Sequence, residues 1–115
     1  MTVRLPREVQ GYRTRSGQCP FRSWYWSLDD RSIQLAVDAR IDRLALGNAG
    51  DCKAVGDGVF ELRIHHRAGC RVYFAYDGET IILLLTGGEK STQRADIRDA
   101  KRYLADYQER KKGRR

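Results

Sequence analysis

The chain is sparing with the residues that crosslink or interrupt a fold. It has three cysteines and two prolines in 115 residues. Cys19, Cys52 and Cys70 are odd in number and share no CxxC spacing, so neither a disulfide framework nor a zinc site is expected. They read as small buried hydrophobes in a reducing compartment. No apolar run approaches the ~20 residues that a membrane-crossing helix requires. Residues 1–10 contain no apolar stretch of signal-peptide type, so a cytoplasmic protein is expected. There is no G-x-x-x-x-G-K-[ST] loop, no G-x-G-x-x-G after a strand, no H-E-x-x-H and no G-x-S-x-G. These absences set aside several common enzyme classes. No repeat or linker divides the chain, and a single domain over residues 1–115 is expected.

What the chain does have is positive charge. The formal net charge is +7 and the pI is about 9.7. With 41% hydrophobic and 32% charged residues, the composition is that of a globular domain rather than a disordered one. The charge favours an anionic partner, nucleic acid first and an acidic protein segment second.

The strongest pattern lies in residues 58–90. Phe60, Leu62 and Ile64 alternate with Glu61, Arg63 and His65, which gives one apolar and one charged strand face. Val72, Phe74 and Tyr76 continue the apolar face on a second strand, opposite Arg71 and Tyr73. Asp77-Gly78 reads as a two-residue type I′ hairpin turn. The run from Ile81 to Leu85 does not alternate, as expected of a strand covered on both sides.

Around these strands the periodicity turns helical. Pro20 suits a first helical position, and Phe21, Trp24, Tyr25 and Leu28 predict a short helix over 20–29, with Trp24 as a core anchor. Ile33, Val37, Ile41 and Leu44 predict a second helix over 33–46, capped by Ser32 and ended by Gly47. Gln34, Asp38, Arg40 and Asp42 form its solvated face. Residues 47–58 are rich in Gly, Asn and Asp and read as a loop that brings Lys53 towards the charged face. Ser91 or Thr92 caps a last helix to about residue 110, with Ile97, Ala100, Leu104 and Tyr107 as its stripe. Residues 111–115 form a basic tail. Residues 7–15 contribute an edge strand. The expected fold is therefore α+β, with a mainly antiparallel sheet packed by an N-terminal helical hairpin and a C-terminal helix.

Arg63 and Arg71 fall nearly opposite one another on adjacent strands. Like charges that close are unfavourable unless an anion lies between them, and a phosphate clamp or a pairing with Glu61 would each resolve the conflict. The planar guanidinium fork suits phosphate oxygens. RNA cleavage by 2′-hydroxyl attack needs a base, charge stabilisation at phosphorus and an acid for the leaving oxygen, without a metal or cofactor. His65, Glu61 or a lysine are candidate bases. Lys90 or an arginine is a candidate for charge stabilisation, and Tyr73 is a candidate to stack on or orient a base. Gly87-Gly88 before a helix start is a weak candidate phosphate turn.

Three stretches carry a family resemblance. They are Gly56 to Ile64 (GDGVFELRI), Gly69 to Phe74 (GCRVYF) and Leu83 to Gln93 (LLLTGGEKSTQ), followed by Asp96-Ile97 and Ala100. Pro20-Phe21-Arg22-x-Trp24, Arg40-Ile41-x-Arg43-Leu44 and Gly47-Asn48-x-Gly50-Asp51-x-Lys53 extend the match. Together they resemble the RelE/ParE superfamily of bacterial toxins, and most closely its HigB-like "addiction module killer protein" branch. The resemblance implies a RelE-like fold, a neighbouring antitoxin with a helix-turn-helix as partner, and ribosome-dependent cleavage of mRNA. It implies Arg63, Arg71 and Lys90 as the basic catalytic residues of the RNA-cleaving face, and His65 or Glu61, from the strand pattern, is the candidate base beside them. Lys53 and Gln93 fall at motif positions and join Tyr73 as expected RNA contacts. ParE-like inhibition of DNA gyrase, or a catalytically weak antitoxin-binding protein, are the alternatives. Gly69-Cys70-Arg71 stands where the family pattern has Gly-Tyr-Arg.

Overall fold

A computed structural model describes residues 6–66 and 69–113. Arg67 and Ala68, within the expected strand connection, and Arg114-Arg115 of the expected tail lie outside the described residues. The elements in order are β1 (Glu8–Gly11), α1 (Pro20–Ser27), α2 (Arg31–Ala45), β2 (Cys52–Gly56), β3 (Val59–Ile64), β4 (Cys70–Asp77), β5 (Ile81–Gly88), a 3-10 turn (Lys90–Thr92) and α3 (Gln93–Lys112). The sheet order is β1-β5-β4-β3-β2. Strands β2 to β5 form an antiparallel meander, and β1 joins the β5 edge in parallel, with Glu8 opposite Ile81.

Residues 47–58 are more than the loop expected from composition. Residues 52–56 form β2, which pairs with β3. The connection is Asp57-Gly58, with φ of 55° and 84°. Two consecutive positive φ values are what a type I′ hairpin needs. The two-residue turn therefore sits here and not at Asp77-Gly78. The β4–β5 hairpin closes through residues 78–80, since Asp77 pairs directly with Ile81.

Both faces of the sheet are covered. On one side α1 and α2 bury Phe21, Val37, Ile41 and Leu44 against Leu62, Ile64, Val72, Phe74, Ile82 and Leu84. On the other, α3 lays Ala100 and Leu104 over Val59, Tyr73, Ala75, Leu83 and Leu85. The alternation of β3 and β4 is thus a division between two cores, and the second face is open only beyond the start of α3. Cys70 is 1% exposed and packs in the first core. A larger ring at that position would point away from the Arg71 face.

Three local readings change. Asp30, not Ser32, caps α2, its Oδ1 accepting from the Ser32 backbone N–H at 2.9 Å. Gln34 is buried and donates to the Tyr25 and Leu28 carbonyls, so it joins α1 to α2 instead of facing solvent. Gly87 and Gly88 belong to β5 and are buried. A Cβ on Gly87 would lie 2.1 Å from Trp24 Cε3, and one on Gly88 would lie 1.8 Å from Asp96 Oδ2. These glycines permit close packing of Trp24 and Asp96 and do not form a phosphate turn. Trp24 packs against the first core, as its spacing predicted.

Candidate functional site

Strand pairing sets the site. Arg63 and Arg71 are direct partners on β3 and β4, and Lys53 on β2 is the direct partner of Glu61. Directly paired residues share a face, so Lys53, Glu61, Arg63, Arg71 and Tyr73 all lie on the α3 side. Arg71 in turn pairs with Gly88, which brings the exposed Lys90 close behind it in sequence.

Glu61 is the centre of this group and is fully buried. Its Oε1 accepts from Arg63 Nε at 3.1 Å. Its Oε2 accepts from Gln93 Nε2 at 2.7 Å and from Tyr73 OH at 3.1 Å, with Arg71 Nε at 3.6 Å. Burial pushes this carboxyl upward, but the bonds from Gln93, Arg63 and Tyr73 and the Arg71 charge outweigh it, and the net shift is downward. Glu61 is therefore an ionised, enclosed counter-charge. A general base needs an open lone pair and a pKa near the working pH, and Glu61 has neither.

Tyr73, expected to stack on a base, is 0% exposed beneath α3. Desolvation and the adjacent Glu61 carboxylate raise its phenol pKa strongly, so it stays protonated and serves as a donor. Gln93, the first residue of α3, spends its amide on Glu61. Both hold the carboxylate that holds the arginines.

The arginines keep free donors. Arg63 is 36% exposed at its side chain, and its contact with Glu61 uses Nε alone. Arg71 is 12% exposed, donates through Nη1 to the Gly69 carbonyl at 2.9 Å, and has a buried Nε without a hydrogen-bond partner. One carboxylate thus faces two guanidiniums, leaving one positive charge in excess before Lys53 and Lys90 are counted. Neither lysine side chain has a hydrogen-bond or ion-pair partner among the described residues.

His65 lies just past β3, and its Nε2 is 2.6 Å from Asp51 Oδ2. Sequence reasoning did not single out Asp51, because it passed for part of a loop. Once β2 is a strand, Asp51 falls opposite Arg63, whose backbone N–H donates to the Asp51 carbonyl at 3.0 Å. Arg40 was likewise assigned to a solvated helix face. It instead donates to the Ala49, Asp51 and Arg63 carbonyls at 3.1 Å each, and so ties α2 to this end of the sheet. His66 points elsewhere, with Nε2 3.2 Å from Ser32 Oγ.

A groove of about 560 Å³ adjoins the Gly88 end of this group, lined by Trp24, Leu28, Ile33, Gly87, Gly88 and Asp96. Asp96 accepts from Thr92 Oγ1 at 2.5 Å, while burial, and secondarily the nearby Asp99, raise its pKa. Among the described residues no cluster of three or more His, Cys, Asp or Glu is placed to hold a metal ion, and no helix is long and apolar enough to cross a membrane.

Fold and site define a small basic α+β protein whose sheet presents an arginine pair organised by a buried carboxylate. The family profile described as "Phage derived protein Gp49-like (DUF891)" matches residues 24–107. The chain belongs to this family, which is associated with toxin–antitoxin systems and is RelE/HigB-like. It is also similar to a protein of Haemophilus influenzae named only as uncharacterized, with 47% identity over 81 residues, 70% of this chain and 82% of that relative.

Proposed function

We propose that this protein is the toxin of a type II toxin–antitoxin pair and that it cuts mRNA on the ribosome by 2′-hydroxyl attack. The family association supports the toxin assignment and an antitoxin partner. The observation that carries the chemistry is the Arg63–Arg71 pair over Glu61, in which one carboxylate faces two guanidiniums and leaves positive charge in excess.

Arg63 and Arg71 would seat the scissile phosphate between their free guanidinium edges. Negative charge builds on the phosphoryl oxygens during attack, and fixed donors aimed at those oxygens stabilise it. Glu61 keeps the two cations at a fixed spacing, which lowers the reorganisation needed when the phosphate arrives. Lys90 extends the positive surface from the Gly88 side, and Lys53 extends it from β2. Tyr73 and Gln93 act through Glu61.

The test is expression of the chain alone in bacteria, with primer extension on a reporter mRNA. The expected result is growth arrest with cuts inside translated regions, absent in Arg71→Ala. Arrest with intact mRNA and impaired supercoiling would move the assignment to a gyrase inhibitor on the same fold.

A further inference from the structure

We propose that His65 is the general base of this cleft and that Asp51 positions it. The proposal rests on the RNA-cleavage reading above and assigns the proton transfer that the arginines cannot perform.

The first support is the pair itself. His65 Nε2 and Asp51 Oδ2 are 2.6 Å apart. With the Asp51 carboxylate as acceptor, Nε2 is the donor of this bond, and the proton-accepting tautomer presents its lone pair at Nδ1. The His65 side chain is 78% exposed, and Nδ1 has no partner among the described residues. This leaves an oriented ring with an open basic nitrogen, the arrangement that a general base requires.

The second support is how Asp51 is held. Its carbonyl accepts from the Arg63 N–H at 3.0 Å and from Arg40 Nη2 at 3.1 Å. Arg40 also donates to the Arg63 carbonyl at 3.1 Å, so one guanidinium clips the Asp51 loop to the strand end that carries Arg63. Gly50 makes the clip possible. Its φ is +61°, and a Cβ there would lie 2.6 Å from Arg40 Nη1. Asp51 is thus fixed by backbone bonds that leave its carboxylate free for His65.

The third support is position. Asp51 adds to the electrostatic field on Arg63, behind the larger effect of Glu61. Asp51 stands opposite Arg63 on the ladder, and His65 follows Arg63 by two residues, so the pair flanks the Arg63 side of the phosphate seat. His65 and Asp51 also line a small cavity together with Arg40, Arg43 and Gly50.

In the reaction, His65 Nδ1 takes the 2′-hydroxyl proton as that oxygen forms a bond to phosphorus. The bond from phosphorus to the 5′-oxygen breaks, and the 5′-oxygen takes a proton from water. The proton on His65 returns to solvent and neutralises the hydroxide formed. The products are a 2′,3′-cyclic phosphate and a 5′-hydroxyl, with no net change in protons or oxidation state.

The test uses the purified full chain with translating ribosomes and with a short RNA, reading cyclic-phosphate ends on gels. His65→Ala is expected to lower kcat by about 10²–10⁴-fold at little change in KM, and added imidazole is expected to recover part of the loss. Asp51→Asn is expected to lower kcat without changing the melting temperature, since the backbone bonds of residue 51 remain. His65→Ala cleaving at the wild-type rate would overturn the dyad and leave the arginine cleft standing. So would a loss confined to KM, or one that imidazole does not recover. A wild-type chain that cleaves neither substrate would overturn the dyad together with the reading beneath it.

Discussion

Arg63 and Arg71 stand opposite one another on the β3–β4 ladder, and the carboxylate of Glu61 lies between them, 3.1 Å from Arg63 Nε and 3.6 Å from Arg71 Nε. Two guanidiniums in direct register repel, and on a bare sheet they would splay apart. The buried carboxylate removes most of that repulsion and fixes the spacing. It cannot neutralise both, so the pair remains receptive to an anion. Tyr73 and Gln93 keep the carboxylate in place from below and from the start of α3.

Glu61 should therefore give a pH-dependent contribution to stability. Its pKa in the folded chain lies below the ordinary 4.5. A lowered pKa means that the stabilisation is fully present above the unfolded value and fades as the pH falls through the folded one. Glu61→Gln is expected to cost about 1–3 kcal/mol at neutral pH, and the gap to wild type is expected to close in acid. Urea titrations at several pH values measure this, and a gap independent of pH would contradict the assignment of an ionised Glu61.

Gly87→Ala should destabilise the fold through a single collision. The added methyl meets the Trp24 ring at 2.1 Å, within a β5 segment that is fully buried. Overpacking of this kind costs about 1–3 kcal/mol. Trp24→Leu in the same chain is expected to recover part of the loss, because the two residues share one space. Thermal melts of the two single variants and the double variant check the coupling, and strict additivity would refute it.

Gly50→Ala is expected to act more on cleavage than on stability. The new Cβ meets the far end of a flexible arginine, which moves aside cheaply, but the move releases the clip on Asp51. The positive φ adds strain of about 1 kcal/mol. A small drop in melting temperature with a larger drop in cleavage rate is expected. Equal losses in both would show that the loop serves the fold alone.

The parts of the fold legible in the sequence were those with a strict period. Alternation over 59–64 and 70–77 located β3 and β4, and the stripes of Val37, Ile41 and Leu44 and of Ala100 and Leu104 located α2 and α3. β2 was not legible, because its five residues carry no alternation and sit among turn-forming glycines. Missing β2 also hid Asp51, whose place opposite Arg63 exists only through the β2–β3 pairing. The shared face of the two arginines could be read from parity and their near-opposition from the short connection, while the direct Arg63–Arg71 pairing came from the structure. The burial of Tyr73 could not, because it depends on where α3 crosses the sheet. Gly87 and Gly88 looked like a turn because their purpose, room for Trp24 and Asp96, is set by residues distant in the chain or on another element.

The most direct test of the central claim is primer extension on a translated reporter mRNA after induction of this chain, with Arg71→Ala in parallel. Losing one such donor to developing negative charge costs about 10²–10³-fold in rate, so the account predicts cuts within the reading frame for wild type and none detectable for the variant. Cuts of equal strength in both would contradict the arginine cleft, and uncut mRNA in arrested cells would contradict RNA cleavage as the activity.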